Sequence, residues 1–181
     1  MPDDRASQRW LPQAAELPGL ENGKVFACEE VLRGQAELGT AVIVLDEGGN
    51  WRGTGTAWYL ADKGHDVIIV TPDAMIGKEL TRTTSDFRIR SNLAKLGARF
   101  MLEAVIAHWH GDRAEIRSLL DGTLTSVDAS AIVTATTNRV DNSIELALAG
   151  SDIRFHVVGD AAAPRQAPYA FHDGRKIGLA L

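Results

Sequence analysis

The apolar residues of this chain alternate between two kinds of pattern. Continuous β-branched and aliphatic runs at residues 40–45 and 66–70 are typical of strands that are buried on both faces of a sheet. Between them, apolar residues recur at helical spacing over residues 53–63, and Gly64 is a suitable helix end. A strand, a helix and a strand within about 30 residues predict one βαβ unit.

The same alternation continues on both sides of this unit. The other predicted helices cover residues 28–33, 85–96, 142–149 and 168–181. The other predicted strands cover residues 24–27, 99–106, 114–119, 131–135 and 154–158. Together these elements predict a Rossmann-like, three-layer α/β fold, with a mainly parallel sheet and an antiparallel β portion.

Composition narrows the classes of partner. The chain has 181 residues, with 24 acidic and 19 basic side chains and a net charge of −5. An acidic chain offers no counter-charge to nucleic acid or to an anionic membrane, so neither is an expected partner. No apolar run reaches the roughly 18 residues of a membrane span. The polar residues 1–5 lack the apolar core of a signal peptide, and we expect cytoplasmic residence.

The loop after the first strong strand carries most of the candidate chemistry. A dinucleotide fingerprint reads G-x-G-x-x-G between a strand and a helix, and its glycines let the backbone approach a pyrophosphate. Here the best alignment places Gly48, Asn50 and Gly53 at the three positions, with Gly49 and Arg52 beside them. These five residues are the candidate cofactor-binding residues of the loop.

Three features argue against a working NAD(P) site in this loop. Asn50 adds a side chain where the pyrophosphate needs bare backbone, and Asp46 and Glu47 would repel its charge, which Arg52 could offset only in part. The second strand ends in Thr-Pro, whereas an NAD site has an acid there for the ribose, and Asp73 lies beyond the proline. A purely structural loop, a working NAD(P) site and a site for another nucleotide remain the alternatives.

Residues 41–72 resemble the C-terminal half of the trimethylamine dehydrogenase family, with the sequence AVIVLDEGGNWRGTGTAWYLADKGHDVIIVTP. This family includes histamine dehydrogenase and 2,4-dienoyl-CoA reductase. Its members are old-yellow-enzyme-like flavoproteins, in which an FMN barrel with a 4Fe–4S cluster precedes two glutathione-reductase-like domains. The acidic loop is more similar to that of the amine dehydrogenases, which hold ADP and do not use NAD(P)H there.

Two further segments carry the resemblance. Residues 133–139 are similar to the family's strand and A-T-G-R-type turn, with Thr137 in place of the glycine. Residues 155–165 are similar to its closing strand, Gly-Asp and Ala-Pro-Arg. The resemblance implies that Gly159 and Asp160 lie at the FAD-like nucleotide site, and that the ligand is ADP or an adenine dinucleotide.

The resemblance also implies a domain division and a role. Residues 1–36 correspond to an extension and a remnant of the FAD-like domain, 37–150 to the NAD(P)-binding-like domain, and 151–181 to the strand and helix that complete the FAD-like part. The FMN barrel is absent from this sequence, and its single cysteine, Cys28, cannot hold an iron–sulfur cluster.

We therefore expect a structural or nucleotide-binding subunit, or a stand-alone domain, of an amine dehydrogenase or demethylase system. The alternative is an NAD(P)H-binding component of a dienoyl-CoA-reductase-like enzyme. The expected partner is a larger flavoprotein subunit with the FMN and 4Fe–4S barrel, or a second copy of the chain. Whether the chain is an enzyme on its own stays open, and the sequence offers no catalytic residue.

Other polar residues have simpler interpretations. His108 and His110 would share a strand face, as some metal ligands do, but no third ligand follows at a defined spacing, so a polar strand end is expected. Arg82, Arg88 and Arg90 mark either a solvated or interface surface or, in a reductase, a site for a 2′-phosphate.

Overall fold

The computed structural model describes residues 17–138 and 140–181. They form two compact units, residues 17–136 and 137–181, and each is described by itself. The strands are β1 (Val25–Ala27), β2 (Ala41–Asp46), β3 (Asp66–Val70), β4 (Arg99–Met101), β5 (Ala104–Trp109), β6 (Arg113–Ser118), β7 (Leu124–Asp128) and β8 (Ala131–Ala135). The helices are α1 (Cys28–Leu32), α2 (Trp51–Asp62), α3 (Asp86–Lys95), α4 (Ser143–Leu148) and α5 (Ala167–Gly178).

The first unit is built on a five-stranded parallel sheet in the order β1-β8-β2-β3-β4. The central strands β2, β3 and β8 are the three continuous apolar runs of the sequence, as expected for strands covered on both faces. The predicted βαβ unit is present as β2, α2 and β3, with β2 and β3 paired in parallel. This part of the fold prediction is confirmed.

Two layers cover this sheet, one on each face. Alternate residues of β2 point to opposite faces, so Val42 and Val44 pack with helices α1, α2 and α3. Ile43 and Leu45 pack with a second sheet, which is antiparallel, has the order β5-β6-β7, and covers the other face. Helices, parallel sheet and antiparallel sheet together give the predicted three-layer α/β fold with an antiparallel portion.

The structure corrects four element predictions. The predicted strand 99–106 is two strands: β4 ends at Met101 and β5, which begins at Ala104, belongs to the other sheet. Between them Glu103 has a positive φ of 47°, which redirects the chain. Strand β7 was not predicted, because its exposed residues show little apolar alternation. Helix α2 begins at Trp51 instead of Gly53.

The fourth correction concerns residues 154–158. This segment was predicted to be a strand from its β-branched and aromatic residues. The structure gives it no regular secondary structure, and within residues 17–138 and 140–181 no strand pairs with it. Local strand propensity requires a neighbouring strand before it becomes a strand.

Trp109 fixes the segment that precedes β1. Its buried indole Nε1 donates a hydrogen bond of 2.8 Å to the Gly23 carbonyl, and its backbone N–H donates one of 2.8 Å to the Pro18 carbonyl. The Asn22 side-chain amide donates to the Trp109 carbonyl at 2.7 Å. Gly19, with φ of 88°, lies so close that a Cβ there would overlap the Trp109 carbonyl oxygen.

The second unit, residues 137–181, contains α4, a 3-10 turn at Gly159–Ala161 and α5. Helix α5 begins with proline in its first turn, where the missing N–H costs nothing. An ion pair between Arg165 and Asp173 joins the approach to α5 to the helix itself. None of the helices in the described part of the chain has the length and apolar character needed to cross a bilayer.

Gly19→Ala should destabilise the first unit strongly, and Gly122→Ala is its matched control. Both glycines have positive φ, of 88° and 75°, but nothing lies within 4 Å of a Cβ at Gly122. The control should lose about 1 kcal/mol from the left-handed backbone alone. Gly19→Ala should lose a further ~2 kcal/mol from the clash. Urea unfolding followed by circular dichroism measures both, and equal losses would contradict the proposed role of the Trp109 contact.

Candidate functional site

The glycine-rich loop lies where β2 ends and α2 begins, at the carboxyl edge of the parallel sheet. β2 ends at Asp46 and α2 begins at Trp51. The structure therefore brings together the five loop residues that the sequence selects: Gly48, Gly49, Asn50, Arg52 and Gly53. In open α/β sheets this edge is the usual place for a ligand.

Asp46 is the central group of this loop, and it is fully buried. Its Oδ1 accepts a hydrogen bond of 2.9 Å from the Gly49 N–H. Its Oδ2 is buried and has no hydrogen-bond partner. Burial, with a further contribution from the charge of Asp73, raises the pKa of Asp46 to about 7, although the backbone N–H groups of Gly49 and Gly48 oppose the shift.

Gly53 leaves the space that this carboxyl group occupies. A Cβ at Gly53 would overlap the Cγ and Oδ1 of Asp46 and would lie 2.9 Å from Oδ2. In a dinucleotide fingerprint the third glycine permits close packing of helix and strand. Here the space between the strand end and the first turn of α2 is occupied by the acidic side chain of Asp46.

Asn50 occupies the start of α2. Its Oδ1 accepts a hydrogen bond of 2.9 Å from the Arg52 N–H, as an N-cap residue does. Its Nδ2 lies 2.9 Å from the position that a Cβ on Gly48 would take. The side chain thus covers the middle of the loop and consumes one of the N–H groups that a phosphate would use.

Arg52 is held by the protein itself. Its Nε and Nη2 donate to the two carboxylate oxygens of Glu29 at 2.7 and 2.9 Å, and its Nη1 donates to the Thr136 carbonyl at 2.8 Å. These contacts lower the pKa of Glu29. The guanidinium therefore ties α2 to α1 and to the end of β8. No local sequence signal indicates Glu29 as its partner, because 23 residues separate the two.

A second group of polar residues follows β3. Asp73 is largely buried, and its Oδ1 accepts from the Lys78 Nζ at 2.9 Å. The backbone N–H of Glu79 donates to the Gly49 carbonyl at 2.8 Å, which fastens the loop to the turn after β3. Lys78 was absent from the sequence-based site, and the only signal for it was its distance of five residues from Asp73.

Gly159 and Asp160 lie in the unit of residues 137–181. Gly159 has φ of 63°, and a Cβ there would meet the Ala170 Cβ at 3.2 Å, so glycine lets this turn approach α5 closely. Asp160 is exposed, and its Oδ1 accepts from the Arg165 N–H at 3.4 Å. Arg139, which ends the second segment of the family resemblance, lies outside the described residues.

The remaining candidates are the histidine pair and the arginines at and before α3. The rings of His108 and His110 lie 4.5 Å apart, yet the described part of the chain contains no group of three or more side chains that could hold a metal ion. Arg82 pairs with Glu79, and Arg90 pairs with Asp86.

No protein-family model matches the chain. Among solved structures, the 6-hydroxypseudooxynicotine amine oxidase of Pseudomonas geniculata N1 is 25% identical, with a TM-score of 0.83 over 91% of this chain and 25% of the oxidase. Histamine dehydrogenase from Rhizobium sp. 4-9 is 19% identical, with a TM-score of 0.82 over 100% of this chain and 29% of that enzyme, a likeness of fold alone.

A 2-naphthoyl-CoA reductase, solved in complex with 2-naphthoyl-CoA, is 27% identical, with a TM-score of 0.74 over 91% of this chain and 24% of the reductase. The chain therefore spans about a quarter of the length of these flavoproteins and matches their C-terminal portion. It resembles the nucleotide-binding domain of trimethylamine-dehydrogenase-like oxidoreductases.

The buried carboxyl of Asp46 should make the stability of the protein depend on pH. Because its pKa rises from 3.8 to about 7, the folded state binds a proton that the unfolded state has released. The free energy of unfolding should fall as pH rises from about 4 to above 7, by on the order of 4 kcal/mol at about 1.4 kcal/mol per pKa unit.

Urea unfolding of Asp46→Asn across the same pH range checks this expectation. The variant should lose most of the decline in stability between pH 4 and pH 8, because the amide does not ionise. Asp62→Asn, at an exposed position on α2, is the control and should keep the wild-type profile. Parallel profiles for wild type and Asp46→Asn would refute the assignment.

Proposed function

We propose that this chain is a nucleotide-binding-type domain of an amine-dehydrogenase-like flavoprotein system, without catalytic activity alone. The single observation that supports this best is the closed loop at residues 46–53. Its elements are those of a dinucleotide-binding fold, but the protein's own groups occupy the space and the donors that a pyrophosphate requires. Within a larger assembly, a domain of this kind has a structural role, or it binds an adenine nucleotide at a site other than this loop.

The electrostatics of the loop support the exclusion of NAD(P)H. A pyrophosphate at the start of α2 would lie beside Asp46 and Asp73. Asp73 would repel it, and Asp46, with a pKa of about 7, would repel it in the fraction that is ionised. Arg52, the nearest cation on α2, already makes three hydrogen bonds to Glu29 and Thr136. Releasing Arg52 would leave Glu29 without its bidentate partner, which is a cost that binding would have to exceed. The residues present do not fit a dinucleotide phosphate at this loop.

We propose that the adenine nucleotide binds at Gly159 and Asp160. The resemblance assigns these residues to the FAD-like site, and the proposed ligand is ADP or an adenine dinucleotide. Asp160 is exposed, and its hydrogen bond to the described residues is a long one of 3.4 Å, so its carboxylate is accessible to ribose hydroxyl donors. The proposed partner is the larger flavoprotein subunit that carries the FMN and iron–sulfur barrel, in the cytoplasm.

One observation favours the alternative, an NAD(P)H-binding reductase component. The chain is 27% identical to the 2-naphthoyl-CoA reductase, slightly more than to the amine oxidase. The two proposals differ in whether the loop at residues 46–53 accepts a reduced nicotinamide dinucleotide, and direct binding measurements separate them.

Titration calorimetry of the full chain with NADH and with NADPH should detect weak binding or none. Asn50→Gly should improve binding, since it uncovers Gly48 and frees the Arg52 N–H, at a cost to the helix cap of only a few tenths of a kcal/mol. Asn50→Asp is the matched variant, which keeps the cap and adds a negative charge, and it should bind no better than wild type. Micromolar affinity of the wild-type chain for either dinucleotide would instead support the reductase alternative.

The purified chain should be colourless, and nucleotide released on denaturation should be ADP or an adenine dinucleotide without flavin. Absorbance between 350 and 500 nm and chromatography of the released nucleotide test this. Asp160→Asn should reduce the retained nucleotide, whereas Asp152→Asn, at an exposed position in the same unit, should not. Stoichiometric flavin in the wild-type protein would contradict the proposal.

A further inference from the structure

Asn22 is the one asparagine of the sequence that precedes a glycine. The other four precede larger residues, and they are Asn50, Asn92, Asn138 and Asn142. A backbone nitrogen can attack the side-chain carbonyl carbon of a preceding asparagine, and glycine obstructs this approach least because it has no Cβ. Apart from its chain neighbours, no described atom lies within 4 Å of the position that a Cβ on Gly23 would take. Both residues are exposed.

The contacts with Trp109 hold the two reacting groups apart. The Asn22 Nδ2 donates to the Trp109 carbonyl at 2.7 Å, which keeps the side-chain amide at the end of β5. The Gly23 N–H donates to the Leu20 carbonyl at 3.1 Å, and the Gly23 carbonyl accepts from the Trp109 indole at 2.8 Å. Attack of the Gly23 nitrogen on the Asn22 side chain therefore requires that these hydrogen bonds open.

Such an opening involves a short segment of the chain. Residues 17–24 precede β1 and contain a single 3-10 turn, Leu20–Asn22. The buried apolar side chain of this segment is Leu17, which is 2% exposed and packs in the same cluster as Trp109. A segment with few buried apolar contacts opens at a lower free energy than the whole protein unfolds. The reaction can therefore proceed from an otherwise folded chain.

We propose that Asn22 is a site of spontaneous deamidation, and that the product releases residues 17–24 from Trp109. In this reaction the Gly23 nitrogen forms a bond with the Asn22 Cγ, and the bond from Cγ to Nδ2 breaks. The Nδ2 leaves as ammonia and takes up the proton that the Gly23 nitrogen loses. Solvent water then adds to the cyclic imide and opens it, which leaves aspartate or isoaspartate at position 22.

The product cannot restore the contact with Trp109. An ionised carboxylate has no donor, so the hydrogen bond to the Trp109 carbonyl is lost and two acceptors face each other. Isoaspartate also lengthens the backbone, and the space is small, because a Cβ at Gly111 would lie 3.3 Å from the Asn22 carbonyl oxygen. The release is thus one-way. It is independent of the proposed nucleotide and of the proposed flavoprotein partner.

Incubation of the full chain at mildly alkaline pH, followed by peptide mapping with mass spectrometry, tests the site. Asn142 is the control within the same molecule, because it is exposed and precedes Ser143. Asn22 should convert to aspartate and isoaspartate several-fold faster than Asn142. The ratio of the two rates removes the effects of pH and temperature, and a ratio at or below one would overturn the assignment of Asn22.

Two glycine variants test whether Trp109 protects Asn22. In Gly19→Ala the new Cβ would overlap the Trp109 carbonyl oxygen that holds the Asn22 amide, so the ratio should rise. Gly122→Ala has open space around its Cβ and should keep the wild-type ratio. If Gly19→Ala does not fold, Trp109→Phe removes the indole donor but keeps an aromatic ring, and it should raise the ratio too. An unchanged ratio in the folded variant would overturn the protective role.

Asn22→Asp carries the reaction product from the start, and Asn142→Asp is its matched control. The backbone N–H of Trp109, which donates to the Pro18 carbonyl at 2.8 Å, reports the release. Its hydrogen exchange in Asn22→Asp should be about tenfold faster than in wild type, because a hydrogen bond is lost and two acceptors repel. The control should exchange at the wild-type rate. Equal exchange in the two variants would overturn the proposed release of residues 17–24.

Discussion

The buried carboxyl group of Asp46 is the constraint on which the site depends. Asp46 is the last residue of β2, a strand that is covered on both faces, so its side chain has no route to water. One oxygen is held by the Gly49 N–H, and the other is buried without a partner. Gly53 must lack a side chain to make room for it. In a dinucleotide-binding fold this loop is shaped around a phosphate of the ligand. Here it is shaped around the buried carboxyl group of Asp46.

The groups around Asp46 extend this constraint to the neighbouring elements. Arg52 is committed to Glu29 and to the end of β8, so it joins three elements and is withheld from a ligand. Lys78 is paired with Asp73. The positive charges near the carboxyl edge of the sheet are thus partnered by the protein's own acids. The resemblance to flavoprotein oxidoreductases and the proposed absence of NAD(P)H binding are consistent, because a fold can persist after a loop has changed its occupant.

The sequence predicted the central fold well because its signals are local. The apolar runs of β2, β3 and β8 and the helical spacing of α2 each lie within one short segment. Contacts between distant segments were not accessible in this way. The burial of Asp46 by Gly53, the pairing of Arg52 with Glu29 and the division of residues 99–106 between two sheets all depend on tertiary packing. Residues 154–158 show the converse, since their strong local propensity for a strand finds no partner in the described chain.

The most direct test of the closed loop is the titration of the Asp46 carboxyl carbon by nuclear magnetic resonance, with and without millimolar NADH. A closed loop predicts a pKa of about 7 that NADH leaves unchanged, because the carboxyl is already buried beneath the loop and no pyrophosphate approaches it. A pKa at or below the ordinary value of 3.8, or a clear shift of the pKa on addition of NADH, would contradict it.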